Sequence, residues 1–533
     1  MSNGALRSTS APHCPAHPVF WIAGLIALCA ILPVILVRFL PSNDYPFHMA
    51  RIVILSQLDN PIFDRFYDLG SFLLPNLAMD TVALLLAQVI PPELAARVFV
   101  ALTLLVMLIG PILLHRSAHG RFSPWPLLTI AFLHNGIFAF GFFNYLFGAG
   151  LAFIAAAIWM VLKPDALRLV VGFLCAIVLI YCHMEAFGIF AVIAGSLEIY
   201  GAMSRWRSAR VWRILADLCC AAAPFILAIA LFSFLSPAAG VSGQGFGYSS
   251  WLGAKPWSFL FSLSSGILWL DVFTAVVLIG LGGWLVFTAR LTISKPLAFA
   301  AIMLSAAFMI LPGSLMGSHF VDSRLGPVLA MLLLVTFDLR ENSDHRAGRA
   351  VIFAACALTL VRTAAFISVW SGDEKEITPV IQALRAIEPG ATLFAATAEP
   401  YPNLFTDTAE RRAAWRPPLK HVASYAVLGG PIFVPMTFAD PAKQPLIVSP
   451  DYAGIKAFQD DNPIKLPDRN ALDTLLAQIT GHLRAGDWPD IGAPYLLVVG
   501  SDRLQPLALP PGVTRITGSD RFVLLRIANV RAQ

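Results

Sequence analysis

Apolar runs of about spanning length recur through the first 370 positions of the chain and then stop. A helix needs about 20 apolar residues to cross the hydrocarbon core of a bilayer. Runs near 19–40, 95–115, 124–139, 143–162, 166–182, 184–203, 214–236, 271–289, 296–313, 325–339 and 350–370 therefore predict about eleven transmembrane helices. The first, Val19 to Leu40, is longer than a signal-peptide core and no small-residue cleavage site follows it, so it reads as a retained anchor. Ser71–Ile90 and Trp257–Leu270 are nearly as apolar. Asn76 and Asp80 in the first and the serines of 262–265 in the second predict helices lying at or dipping into the outer interface, where polar groups cost less than at the bilayer centre.

Past residue 370 the periods change. Ile377–Ile387 and Ala471–Leu483 repeat as helices do, and Thr392–Ala396, Tyr495–Val499 and Phe522–Ile527 read as strands. Pro and Gly between 399 and 467 predict irregular loops, and the segment as a whole predicts a small α/β domain. Composition draws the same line. Of the 533 residues 57% are hydrophobic and 13% charged, yet 371–533 is roughly one-fifth charged and 1–370 roughly one-tenth, against about a quarter in ordinary soluble domains. The expectation is a polytopic α-helical membrane domain over 1–370, with a long first outer loop at about 40–94, and a soluble extracytoplasmic α/β domain over 371–533. These figures exclude a soluble enzyme and a disordered chain. A net charge of +5 with no concentrated basic face excludes a nucleic-acid partner.

The few charges in the membrane part report topology. With the N-terminus inside, the cytoplasmic segments carry Arg7; Arg116 and Arg121; Lys163 and Arg168; Arg205, Arg207, Arg210 and Arg213; Arg290 and Lys295; and Arg340, Arg346 and Arg349. The short loops on the other side offer only Arg324, as the positive-inside rule requires. An odd number of spans then sets the C-terminal domain outside, in a chain integral to the inner membrane. The seven cysteines, Cys14 among them, form no disulfide or metal-knuckle pattern and read as buried small apolar residues.

Histidines and carboxylates collect at the predicted outer ends. Ser42-Asn43-Asp44-Tyr45-Pro46-Phe47-His48-Met49-Ala50-Arg51 follows the first span. Pro46 suits a first helical turn, which sets His48 and Arg51 on one face with Asp44 beside the helix start. A capping Asp44 and a snorkelling Arg51 would explain parts of this trio but not the whole. Elsewhere the outer ends carry His134 and Asn135, Asn144 and Tyr145, His183 and Glu185, and His319, Asp322 and Arg324. His183 and Glu185 share a site only if the helix breaks between them. Asp322 with Arg324 reads equally as a loop-fastening ion pair, and His134 as an interhelical hydrogen bonder. In the C-terminal domain, His421, Tyr401, Phe405 and Trp415 are candidate sugar or membrane contacts, with core or surface packing the plainer reading.

A first span, a long outer loop with an acid within a few residues of the membrane, many further spans and a C-terminal outer domain together resemble the GT-C class of integral-membrane glycosyltransferases, bacterial type. The likeness rests on Asn43-Asp44 with His48 and Arg51, and otherwise on architecture over the whole chain. It implies sugar transfer from a polyprenyl-phosphate carrier to an envelope glycan, lipid or protein acceptor at the extracytoplasmic face. It also implies that Asp44 is the first-loop acid, serving as base or helping to hold a metal. Some members carry two adjacent acids where this chain has Asn43-Asp44, which leaves a divalent cation the less favoured option and names no metal ligands.

The residues fit that chemistry in their own right. Asp44, with Glu185 or Asp322 as a second acid, supplies a base. Arg51, His319 and Arg324 supply positive charge for a leaving phosphate, and His48 and His183 orient the carboxylates or the sugar. Three alternatives remain at this level. One is a transporter, flippase or export component for envelope polysaccharide, although no internal repeat is visible. Another is a different membrane transferase: a polymerase, ligase or acyltransferase. The last is an anchored receptor, which would need one span.

Overall fold

The computed structural model describes residues 16–237, 251–315, 318–340, 345–399 and 419–528. Cys14, Tyr401, Phe405 and Trp415 lie outside them. The membrane part is a helical bundle: α1 (Ala16–Leu36), α2 (Tyr45–Leu55), α3 (Pro61–Phe66), α4 (Ala78–Leu86), α5 (Pro92–His119), α6 (Gly136–Phe140), α7 (Phe143–Val161), α8 (Ala166–Cys182), α9 (Met184–Arg205), α10 (Val211–Leu235), α11 (Trp251–Leu263), α12 (Leu268–Phe287), α13 (Lys295–Ile310), α14 (Val321–Val335) and α15 (His345–Leu384). Among the described residues α1, α5, α7, α9, α10, α12 and α15 are long and apolar enough to cross a bilayer, and Trp125–Phe140, α8 and α13 are shorter apolar segments. The tenth predicted span appears as α14, buried along most of its length. The third is not an α-helix throughout: Trp125–Phe132 is wound as a 3-10 helix ahead of α6. The chain is an integral membrane protein, and it carries large apolar side chains such as Phe287 (91% exposed) and Phe234 (87%) on its outer surface, as a lipid-facing bundle does.

The two competing apolar stretches are short. The α4 helix has 9 residues and α11 has 13, and 13 residues rise only about 20 Å, short of the roughly 30 Å hydrocarbon core.

Local sequence accounts for the boundaries. Helix α5 opens with Pro92 in its first turn and stops at Gly120, which takes the left-handed φ of 72° that ends many helices. Helices α5 and α7 cross at Gly110 and Gly150: a β-carbon on Gly110 would meet the Gly150 carbonyl oxygen at 2.4 Å. Only a hydrogen there allows the backbones to touch. At one end of the bundle, Leu291–Ile293 pairs antiparallel with Phe337–Leu339, and Arg121 reaches Asp338 at 2.8 Å. At the other end sit the first loop and the C-terminal sheet.

That sheet has five strands in the order 513–518, 522–527, 494–499, 392–397, 464–465. Thr392–Thr397 runs parallel to both neighbours, and the helix Arg469–Ala485 makes the crossover. The two central strands are buried along their whole length, as expected of strands covered on both faces. The predicted α/β layer is present, and the predicted helix at Ile377–Ile387 is the far end of α15, whose 40 residues run unbroken past Ser371. Two contacts tie the segment after α1 to the C-terminal part of the chain. Tyr67–Leu69 pairs antiparallel with Leu446–Val448, and Glu374 Oε1 accepts the Arg38 N–H at 2.9 Å where α1 has just ended. The first loop and the C-terminal sheet therefore lie on the same side of the bundle.

Candidate active site

Asp44 stands at the start of α2 but makes no side-chain cap there. The backbone around it is pinned from α6: Asn43 N–H donates to Ala139 O and Asp44 N–H to Phe140 O, each at 3.0 Å. Gly141, with a φ of 96°, passes beneath this loop. The Asp44 carboxylate accepts from Asn43 Nδ2 at 2.7 Å, and its side chain keeps 30% of its surface exposed. Loss of solvent raises its pKa to about 6, with Lys420, the Asn43 hydrogen bond, Arg324 and Arg51 pulling the other way. A carboxylate with that pKa is mostly ionised at neutral pH and only weakly solvated, as a general base should be.

His48 and Arg51 share a face of α2, as their spacing predicts, and a third partner joins them. Arg51 Nε donates to Asp80 Oδ1 at 2.5 Å and Nη2 to Asp80 Oδ2 at 3.0 Å, with both side chains fully buried. Arg51 Nη2 also lies 3.0 Å from His48 Nδ1, and His48 Nε2 lies 3.1 Å from Gly141 O. Because the guanidinium can only donate, His48 accepts at Nδ1 and donates from Nε2 to the carbonyl. Burial, then Arg51, lowers its pKa to about 3, so the ring is neutral. Arg51 is thus enclosed behind the loop. It influences Asp44 through charge and through His48, and it does not open onto the surface.

His183 and Glu185 meet the condition their spacing set. Helix α8 ends at Cys182, α9 begins at Met184, and His183 between them is extended at φ −173°. Its Nδ1 lies 3.2 Å from the Glu185 backbone nitrogen. Arg324, from the first turns of α14, joins this corner. Its Nη1 lies 3.0 Å from His183 Nε2 and donates to Glu185 Oε2 at 3.2 Å, while its Nη2 donates to the His319 carbonyl at 2.9 Å. The guanidinium also lies 4.3 Å from the Phe142 ring, and Tyr145 OH donates to Arg324 O at 2.5 Å. Among the described residues, two buried atoms in this group make no hydrogen bond: Arg324 Nε and Glu185 Oε1. The His319 imidazole, half exposed, has its pKa lowered by desolvation, then by Lys443 and Arg324.

Asp322 does not pair with Arg324. Its Oδ2 accepts from Lys255 Nζ at 2.8 Å, and both side chains are buried. Segment 139–145 joins the two halves of the site, holding the Asp44 loop through Ala139, Phe140 and Gly141 and Arg324 through Phe142 and Tyr145. Asn144 fastens the same segment to the first loop, accepting from Met79 N and donating to Asn76 O, both at 2.6 Å.

Five residues escaped sequence reasoning as site components: Asp80, Gly141, Lys255, Arg362 and Lys420. Lone charges in apolar stretches were the available signal for Asp80, Lys255 and Arg362. Arg362, inside the bundle, donates to Thr274 Oγ1 at 3.1 Å and to His134 O at 2.9 Å. His134 packs its ring 4.5 Å from Phe366, and Asn135 caps α6 by accepting from Phe138 N at 3.0 Å. His421 is buried, stacked 4.1 Å from Phe47, with Nδ1 2.7 Å from Asn43 O. Desolvation, then Lys420, lowers its pKa to about 3. Lys420 itself is lowered by desolvation, against the pull of Asp44.

Among the described residues the donors around Asp44 do not form a metal-binding set. Its neighbours are an amide, a lysine, two arginines and His421, whose Nδ1 lies 4.0 Å from Oδ1 and donates to Asn43 O at 2.7 Å, and His183 and Glu185 are engaged with Arg324. A small cavity lined by Ser42, Asn135, Phe138, Phe143, Ser265 and Trp370, among others, includes neither Asp44 nor Arg324 and is not the reaction chamber.

No family model matches the chain, and no curated protein matches it. Solved structures do. ArnT from Cupriavidus metallidurans bound to undecaprenyl phosphate superposes with a TM-score of 0.56 at 11% identity, covering 96% of this chain and 98% of that one. The apo state of the same protein gives 0.55 at 12%, covering 97% and 98%. The arabinofuranosyltransferase AftD from mycobacteria gives 0.44 at 12%, covering 97% of this chain and 40% of its own. At such identities the likeness is one of fold, and the fold of this chain is that of the GT-C class of integral-membrane glycosyltransferases.

Proposed function

We propose that the protein transfers a sugar from a polyprenyl-phosphate carrier to an envelope glycan, lipid or protein acceptor at the extracytoplasmic face. In this reading the chain sits in the inner membrane with its N-terminus in the cytoplasm and the C-terminal domain outside. One observation carries the proposal: a partly open carboxylate, Asp44, and a nearly buried Arg324–Glu185–His183 group are held by one segment, 139–145, at the end of the bundle that bears the C-terminal sheet.

Asp44 takes the proton of the acceptor hydroxyl as that oxygen bonds to the anomeric carbon. The bond from that carbon to the phosphate oxygen breaks, and polyprenyl phosphate leaves with the electron pair. Arg324 meets the charge that develops there, and among the described residues its Nε–H has no partner within the protein. Glu185 Oε1 is the matching unspent acceptor, suited to a sugar hydroxyl. His183 and the His319 carbonyl fix the guanidinium, Lys255 holds Asp322 at the start of α14, and Arg51 holds His48 against the Asp44 loop. No step needs a metal. A transporter or flippase would need polar groups along a path through the bundle. The groups of this site cluster at one end, which favours chemistry at the surface.

The test compares lipid-linked sugars and envelope glycans in wild-type, deletion and Asp44→Asn cells. The expected result is accumulated lipid-linked sugar and a missing glycan modification in both mutants. Unchanged profiles in both would sink the enzymatic reading. A deletion phenotype that Asp44→Asn fully rescues would favour the transporter.

A further inference from the structure

At the end of the bundle away from Asp44, a second polar group uses none of the candidate active-site residues. His115 and His119 lie in the last turns of α5, four residues apart and so on one helical face. Asp338 comes from the strand that follows α14. One ligand atom from each of the three lies within 4.8 Å of the others. Along α14 the group is about 20 Å from Arg324.

We propose that His115, His119 and Asp338 form a binding site for a zinc-type divalent ion that clamps the end of α5 to the α14–α15 connection. The donor set is two imidazoles and one carboxylate, which suits zinc and its first-row neighbours and not magnesium or calcium. Four further observations support it. His115 is 1% exposed, 3.5 Å from Asp338 Oδ1, and among the described residues neither of its ring nitrogens makes a hydrogen bond. A buried imidazole without partners is costly, and a metal on one nitrogen relieves that cost. His119 Nε2 lies 3.2 Å from Val335 O. As a donor to that carbonyl it leaves the Nδ1 lone pair as the ligand, the second-layer arrangement usual for metal-bound histidine.

Asp338 is oriented in the same way. Arg121 Nε and Nη2 each hold Oδ2 at 2.8 Å, and Leu339 N–H donates to Oδ1 at 2.8 Å, leaving Oδ1 a second lone pair facing the histidines. Helix α5 ends at this point, and the C-terminal end of a helix dipole favours a cation. The rings of His115 and His119 lie 4.4 Å apart, and a tetrahedral zinc site with bonds of about 2.0–2.1 Å needs the ligand atoms drawn together by side-chain rotation alone. His119 is only half-buried, which gives the ion a way in and leaves a fourth position for water. The competing arrangement is a plain ion pair between protonated His115 and Asp338.

The experiment uses the full-length protein in detergent, purified without a histidine tag, stripped with chelator and titrated with zinc. Expected are one tightly bound ion per chain, a zinc-dependent rise in melting temperature, and neither effect with magnesium. The half-exposed His119→Ala is the first variant because it disturbs packing least, and Asp338→Asn is the second. Each should lose zinc binding at least tenfold and lose the melting shift while still folding when metal-free. Cobalt substitution should give tetrahedral absorption bands in wild type alone. Zinc binding that is absent from wild type, or equally tight in both variants, would overturn the proposal in favour of the ion pair.

Discussion

Gly141 lies so close beneath Asp44 that a β-carbon on it would sit 3.0 Å from that of Asp44 and 3.1 Å from its backbone nitrogen. The same glycine has a φ of 96° and offers its carbonyl to His48. Gly141→Ala therefore meets backbone strain and a steric conflict together, and should cost about 1–3 kcal/mol through displacement of the Asp44 loop. A thermal melt in detergent measures the loss. Where the variant still folds, transfer activity should fall far more than stability. A fully active Gly141→Ala protein would mean that the Asp44 loop has no fixed position to keep.

The proposed base sets a pH profile. Asp44 has its pKa raised to about 6, so the transfer rate should be flat above that pH and fall tenfold per unit below it. Asp44→Asn should lose about 10²–10⁴-fold in rate and lack this acid limb. Stability runs the opposite way. A carboxyl whose folded pKa exceeds its unfolded value stabilises the fold when protonated, and that contribution is lost as pH rises through about 6. Asp44→Asn should consequently melt higher than wild type at pH 7.5, trading activity for stability.

His48 and His421 carry the reverse linkage. Both have pKa values lowered to about 3. Their contribution is whole above the ordinary value near 6.5 and is lost as pH falls towards 3. Wild type should lose melting temperature between pH 6.5 and 4, and His421→Phe, which keeps a ring to stack on Phe47, should flatten that slope. An unchanged slope would show that His421 is not the group titrating.

The Arg51–Asp80 pair is fully buried. Removing one charge strands the other, so Arg51→Met or Asp80→Leu alone should cost about 3–5 kcal/mol. The double substitution should restore much of the melting temperature. It should not restore activity, because His48 would lose the donor at its Nδ1. Full activity in the double variant would make the pair structural only.

The α5–α7 crossing admits no side chain at Gly110, where an added β-carbon would meet the Gly150 carbonyl at 2.4 Å. Gly110→Val should force the helices apart and abolish a monodisperse peak in size-exclusion chromatography, whereas Gly188→Ala, with nothing within 4 Å, should be neutral.

Hydropathy and the placement of charge made the bundle, its spans and the α/β character of the C-terminal part legible, because a bilayer leaves few ways to satisfy a backbone. Individual residues were legible where local geometry was enough. The i, i+3 spacing of His48 and Arg51 put them together, and His183 with Glu185 was readable up to the condition of a helix break. What could not be read were partners chosen by packing. Asp80, 29 residues from Arg51, and Lys255, 67 residues from Asp322, meet them only because helices that are distant in sequence cross. Nor does periodicity distinguish the 3-10 winding of Trp125–Phe132 from an α-helix of the same composition. Asp322 and Arg324, adjacent enough in sequence to suggest a pair, point to different partners across the bundle.

The pairing of Tyr67–Leu69 with Leu446–Val448 also puts a clock on biosynthesis. The first strand leaves the ribosome almost four hundred residues before its partner, which at about 5–20 residues per second is a delay of roughly 20–75 s. Through that interval every remaining membrane helix must be inserted while the edge of the early strand stays unpaired. The nascent chain thus carries an open β edge until its last sixth arrives, and that edge is where a chaperone would be needed.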